Sequence, residues 1–147
     1  MRPTKADRTV LYHQCLPALD GVTPELVDAV CAALSATPAT LLDGDVRIVL
    51  TEAVNNIVEH AYAGPGFGAL VIRVTCTGHA VWIDLTDWGH PYPPICDSVT
   101  SPDPLDLNEG GYGSFLIRTL VSALHRSRKH GKNRLTLRFD LQNPHPG

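Results

Sequence analysis

One stretch limits what this chain can become. From Asp45 to Tyr62 the apolar residues Val46, Val49, Leu50, Ala53, Val54, Ile57, Val58 and Ala61 recur at helical spacing. The spacing predicts one long amphipathic helix over 45–62, with a stripe broad enough to lie against a sheet. The polar residues Glu52, Asn55, Asn56, Glu59 and His60 fall close together rather than scattering. Glu52 and Asn56 stand one turn apart on one face. Leu50, Ala53 and Val54 bracket Glu52. An ionised carboxylate at a core boundary is costly unless it is paired, hydrated or bound to an ion. Taken by itself, the polar stripe needs no more than a solvated helix face; stretches downstream change that.

The rest of the chain supplies something for this helix to lie on. Thr9 to Leu16 is rich in β formers and predicts a strand, broken by Pro17 to Gly21. Thr23-Pro24-Glu25 reads as a helix start with Thr23 as N-cap, the helix running to about Ala36. After Ala63-Gly64-Pro65-Gly66, the alternation in Ala69–Thr77 and Ala80–Asp87 predicts a hairpin turning at Gly78-His79. Trp88 to Gly111 is rich in Pro, Asp, Ser and Gly, and a loop of that length inside a domain is usually a functional lid. Tyr112 to Leu124 returns to helical spacing, and Arg126–Lys129 with Asn133–Leu141 predicts a last hairpin across His130-Gly131-Lys132. The order β, α, α, β, β, lid, α, β, β predicts an α+β fold, a two-layer sandwich with helices on one face of a mixed sheet. It is not the alternating pattern of a Rossmann fold.

At 147 residues the chain is expected to be a single domain, 1–147, with 1–8 and 142–147 as flexible termini. A formal net charge of -3 offers no broad positive field to nucleic acid or to an acidic membrane. Cys15, Cys31, Cys76 and Cys96 form no C-x-x-C pair and no zinc-finger spacing, and are expected as small buried hydrophobes in a reducing cytoplasm. No signal core and no run of membrane-spanning length is present, so a cytoplasmic chain is expected.

Two stretches carry chemistry beside the helix. Asp87-Trp88-Gly89-His90-Pro91 closes a predicted strand. A carboxylate there can accept from a base amine, and the glycine lets backbone approach a planar ring. The same residues also suit an ordinary polar turn. Glu109-Gly110-Gly111-Tyr112-Gly113-Ser114-Phe115-Leu116 opens a helix. Glycines there would free backbone N–H groups where the helix dipole favours anions, although the P-loop lysine is missing. A glycine-rich hinge to a lid explains the same residues.

The conjunction is more specific than its parts. A helix with Glu-x-x-x-Asn, a hairpin ending Asp-x-Gly, a lid, and Gly-x-Gly opening a helix follow in the order of the GHKL ATPase superfamily. Within it, the chain resembles the bacterial anti-sigma-factor serine kinases of partner-switching systems. The run Glu52 to Tyr62 looks like their N box, Asp87 to Pro91 like their first glycine box, and Gly111 to Ile117, including Ser114, like their second. The resemblance covers about Asp45 to Leu141 and implies a Bergerat-type, histidine-kinase-like ATPase fold. It implies Asn56 as the Mg²⁺ ligand and Glu52 as the general base for a substrate hydroxyl. It further implies Asp87 as the adenine-reading carboxylate with Gly89 beside the ring. Gly111 and Gly113 then close over the phosphates of ATP, with Ser114 beside them. Pro91 stands where the wider superfamily often has a second glycine, as in many anti-sigma members, and would stiffen the start of the lid. The resemblance implies an anti-anti-sigma protein as phosphoacceptor, a sigma factor as sequestered partner, and a homodimer.

A nucleotide-gated binding module without phosphoryl transfer is the other reading, and Glu52 argues against it, since a pure binder needs no base there. Arg126, Arg128, Lys129, Lys132 and Arg134 could be drawn as a nucleic-acid patch. In alternating strands they split between faces, and a charged edge that discourages strand pairing is the simpler account. No phosphoacceptor helix pair precedes the domain, which disfavours a sensor histidine kinase.

Overall fold

Alternation of apolar and polar residues makes the sheet, and helical spacing makes the layer that covers it. A computed structural model describes residues 8–19, 21–61, 68–91 and 109–141, with backbone alone at 60–61 and 109–114. The strands are β1 (Thr9–Pro17), β2 (Ala69–Cys76), β3 (Ala80–Asp87), β4 (Ala123–Lys129) and β5 (Lys132–Asp140). The helices are α1 (Val22–Leu34), α2 (Asp43–Asn56) and α3 (Glu109–Leu120). The strand order is β1-β2-β3-β5-β4.

The α+β two-layer architecture stands as expected, with one correction: all four strand pairings are antiparallel, so the sheet is not mixed. The connections give the reason. Two helices between β1 and β2 are two passes, which return the chain antiparallel. One helix joins β3 to β4 and would leave them parallel, but β5 lies between them. Register sets Leu70 of β2 opposite Asp87 of β3, Ile72 opposite Leu85 and Val74 opposite Ile83, and Leu85, Ile83 and Val81 of β3 opposite Leu135, Leu137 and Phe139 of β5. The apolar residues among them are all buried, and they share one core with Leu26, Val30 and Leu34 of α1, Val46, Leu50 and Val54 of α2, and Ile117 of α3.

The other face of the sheet is polar. There Asp84 is buried and accepts the Thr136 hydroxyl at 2.6 Å and Arg134 Nη2 at 3.2 Å. Arg8 lies over the Trp82 ring, 3.8 Å from its centroid.

Several element ends moved. α2 begins at Asp43, two residues early, because a 3₁₀ turn at Pro38–Leu42 runs directly into it. Thr37 accepts from the Ala39 N–H at 3.0 Å and donates to Leu34 O at 2.8 Å, tying that turn to α1. The end of the organising helix is not α-helical: Ile57–Ala61 widens into a π-helical turn. Thr23 is not an N-cap. α1 starts at Val22 after Gly21, whose φ of 90° suits glycine, and Thr23 turns inward instead. Leu124 is a strand residue rather than the last of a helix. α3 stops at Leu120, and the Ser122 N–H reaches Arg138 O at 2.8 Å, which starts β4 against β5. The last hairpin turns on two residues, His130 and Gly131, with φ of 53° and 77°, so Lys132 already belongs to β5. Cys31 is buried as expected, Cys76 is half-buried, and Cys15 is exposed on the edge strand β1. Cys96, the body of the expected lid (92–108) and most of both termini lie outside the described residues. Among the described residues no helix is long and apolar enough to cross a membrane.

Candidate functional site

On α2, Val46, Val49, Leu50, Ala53 and Val54 point into the core. Helical geometry then leaves Glu52, Asn55 and Asn56 half-buried at its rim. Asn55 is used structurally: its Oδ1 accepts the Thr23 hydroxyl at 2.7 Å, joining α1 to α2. The side chains of Glu52 and Asn56 make no hydrogen bond or ion pair among the described residues. A half-buried carboxylate and carboxamide are thus presented side by side, one turn apart. The Ile57–Ala61 π turn begins immediately after Asn56. Such turns occur mostly as single-turn insertions in α-helices, frequently at functional sites.

At the end of β3, Asp87 lies two residues beyond Leu85 and faces the helix side of the sheet, 1% exposed. Its Oδ1 accepts the Gly89 N–H at 2.9 Å and Asn133 Nδ2 at 2.8 Å. The Asp-x-Gly turn is therefore closed by the aspartate itself. Asn133, 2% exposed at the start of β5, also donates to His90 O at 3.0 Å and Gly89 O at 3.3 Å. Arg128 Nη1 donates to Asn133 Oδ1 at 2.7 Å and to Gly89 O at 3.0 Å.

Sequence reasoning missed Asn133 and left Arg128 in a solvated basic edge. The signal for Asn133 was present. Leu135, Leu137 and Phe139 fix the inward phase of β5, and the same phase places an asparagine inside at 133. A buried amide must be hydrogen-bonded, so it had to meet a polar partner. Nothing local marks Arg128, whose contacts depend on the pairing Arg128↔Asn133 across the last hairpin. The five basic residues do split: by register Arg126 and Arg128 lie on the helix side, and Lys129, Lys132 and Arg134 on the other.

Gly111, Gly113 and Ser114 lie within the first turns of α3, which starts at Glu109 and packs against α2. The stretch opens a helix as expected, and α3 begins three residues ahead of the Tyr112 start that the helical spacing gave. A helix starting there leaves the N–H groups of 109–111 without intrahelical acceptors, so the free N–H groups at Gly110 and Gly111 survive the earlier start and that of Gly113 does not. The side chain of Ser114 lies outside the described residues. The structure thus brings Asp87 and Gly89 into direct contact, sets Glu52 and Asn56 on one helix, and packs the glycine-rich start of a second helix on the same layer.

The donor set can be tested against Mg²⁺. No group of three or more His, Cys, Asp or Glu that could hold a metal occurs among the described residues. A magnesium ion bound with a nucleotide needs few protein ligands, because phosphates and water fill most of its octahedron. The Asn56 carboxamide oxygen fits that demand.

Comparison with known proteins agrees with the fold. The profile of the histidine kinase-like ATPase domain matches residues 12–139, from β1 through β5. The chain is also 33% identical over 103 residues to the serine/threonine-protein kinase BtrW of Bordetella bronchiseptica, covering 63% of this chain and 69% of BtrW.

Proposed function

The chain belongs to the histidine kinase-like ATPase domain family, and from that premise we propose that it is an ATP-dependent protein serine kinase acting as an anti-sigma factor. The observation that carries the nucleotide half is Asp87, a buried carboxylate fixed at a strand end by Gly89 and Asn133. Burying a carboxylate is costly, and a base amine that it can accept from is a ligand of matching chemistry. Gly89 beside it leaves the ring face room. The similarity to BtrW, named a serine/threonine-protein kinase, supports the transfer half.

Each residue then has a role. Asp87 selects the base, and the N–H groups at the start of α3, Gly111 among them, face the phosphates, with Gly113 and Ser114 one turn further on. Asn56 supplies the protein's ligand to Mg²⁺, which offsets phosphate charge when bound. Glu52, one turn from Asn56, takes the proton from the acceptor hydroxyl as its oxygen attacks the γ-phosphorus and ADP leaves. Phosphoryl transfer asks chiefly for this positioning and electrostatic support. The substrate in this reading is an anti-anti-sigma protein, the sequestered partner a sigma factor, and the working unit a cytoplasmic homodimer without direct contact to nucleic acid or membrane.

Two measurements test it. Mg-ATP at about 100 times its Kd should raise stability by roughly 2.7 kcal/mol, visible as a higher melting temperature, and Asp87→Asn should weaken adenine nucleotides selectively. Labelled γ-phosphate should pass to a serine of an anti-anti-sigma protein co-purified from the native host. No thermal shift with any adenine nucleotide overturns the site. A shift without transfer leaves a nucleotide-gated binding module.

A further inference from the structure

The hydrogen bonds at the start of β5 reach further than a strand end requires. Asn133 meets Asp87, Gly89 and His90 through one amide nitrogen, and its oxygen is taken by Arg128, which itself returns to Gly89 O. We propose that Arg128 and Asn133 form a latch across the last hairpin that holds the Asp87 carboxylate in one orientation and so sets the preference for adenine over guanine. This rests on the nucleotide reading of Asp87 above.

The physical argument begins with the carboxylate. A carboxylate pinned at one oxygen has its plane fixed. Adenine offers an exocyclic amine to such a carboxylate, whereas guanine offers a carbonyl at the same place, and two acceptors repel. Discrimination therefore depends on Asp87 being unable to swing aside. Two donors pin Oδ1: the Gly89 N–H, which belongs to the turn itself, and Asn133 Nδ2, which belongs to another strand. The second is what ties the turn to the sheet. Asn133 is 2% exposed, its oxygen already accepts from Arg128 at 2.7 Å, and its nitrogen already serves three acceptors. It is thus a positioning residue rather than one that reads the base. Arg128 is exposed on the edge strand, and its guanidinium anchors the Asn133 amide from the oxygen side, as the three acceptors do from the nitrogen side. Without it the amide keeps its face but loses the anchor on its oxygen side and can tilt away from Asp87.

The isosteric pair Asn133→Thr and Asn133→Val tests this. Threonine keeps one hydroxyl donor on the Asp87 side, one bond shorter than the amide, and valine, of the same shape as threonine, keeps none. Mg-ATP and Mg-GTP affinities are measured by calorimetry on the intact chain, its two variants, and Arg128→Ala. The ratio of ATP to GTP affinity should fall by about tenfold in Asn133→Val, the usual worth of one hydrogen bond to a charged group. It should be largely restored in Asn133→Thr and reduced in Arg128→Ala. Since Arg128 is exposed, its variant keeps the test open if a change at 133 unfolds the chain. General destabilisation would lower both affinities together and leave the ratio where it was. A native chain that binds ATP, with the ratio unmoved in Arg128→Ala and in any folded change to valine, overturns the latch alone. A native chain that binds neither nucleotide overturns the nucleotide reading and the latch with it.

Discussion

The Thr23–Asn55 contact is where two accounts of one residue part. As an N-cap, Thr23 would act on its own helix; in the structure it ties α1 to α2 beside the polar pair Glu52 and Asn56. The partners are unequal: Thr23 is 7% exposed, whereas Asn55 is half-buried at the rim. Thr23→Val removes the buried hydroxyl and leaves an acceptor that water can reach, so the cost should be only about 0.5–1 kcal/mol. Asn55→Ala leaves a buried hydroxyl without its acceptor and should cost more, about 1–2 kcal/mol. The double variant removes both groups and should cost less than the sum, with a coupling of about 1 kcal/mol. At roughly 3 °C of melting temperature per kcal/mol for a chain of this size, each effect is measurable.

The assay is a double-mutant cycle by urea unfolding, accepted only if the slope m stays constant across the four proteins. A cap predicts a different pattern. Thr23→Val would then cost about 1 kcal/mol by itself, and the two changes would add. Additivity within about 0.3 kcal/mol would falsify the tie between the helices. Because Asn55 adjoins Asn56, a real tie also predicts that Thr23→Val weakens Mg-ATP affinity without touching any residue of the site.

Glu52→Gln should keep Mg-ATP affinity and cut phosphoryl transfer by about 10²–10⁴-fold, and full transfer would remove the base assignment. Asn56→Ala should lower magnesium-dependent affinity and transfer together; calorimetry with and without Mg²⁺ decides. Burial and the neighbouring Asp43 push the Cys31 thiol up to about 11, so iodoacetamide at pH 8 should label exposed Cys15 well before Cys31, as read by peptide mass. With the folded pKa raised from about 9 to about 11, that thiol's contribution is whole below pH 9 and is lost as pH rises to 11; stability over that window should fall, and Cys31→Ala should flatten the fall. Gly131→Ala meets no atom within 4 Å yet must hold a φ of 77°, so thermal unfolding should show a cost of about 1 kcal/mol, and no change would mean the turn relaxes.

Sequence alone delivered the order of elements, because the periods that define them are local. The hairpin of Ala69–Cys76 and Ala80–Asp87 and the start of β1 came within a residue of where the structure has them. The errors cluster where a distant partner decides. Leu124 has helical spacing to Leu116 and Leu120, but the β5 edge claims it. Thr23 has every local mark of a cap, but Asn55, 32 positions away, offers its hydroxyl a better use. The antiparallel sheet follows from β5 inserting between β3 and β4, which no local pattern announces.

The same distinction explains the site. Glu52 and Asn56 were legible because one helix carries both, and Asp87 with Gly89 because one turn does. Asn133 and Arg128 were not, since their contacts to that turn span 39 to 46 positions. The π turn at Ile57–Ala61 was invisible for a related reason. Its residues have good helical spacing, so nothing in them asks for a wider turn. Yet widening changes the angular position of everything after Asn56. In a continuous α-helix Glu59 would stand on the stripe of Glu52 and Asn56, three residues beyond the latter. A π turn adds a residue per turn and rotates Glu59 off that stripe. The pair Glu52 and Asn56 is thereby kept from becoming a run with a second carboxylate directly beneath the first. If phosphates of a nucleotide approach Asn56, a carboxylate moved aside is one less like charge for them to meet.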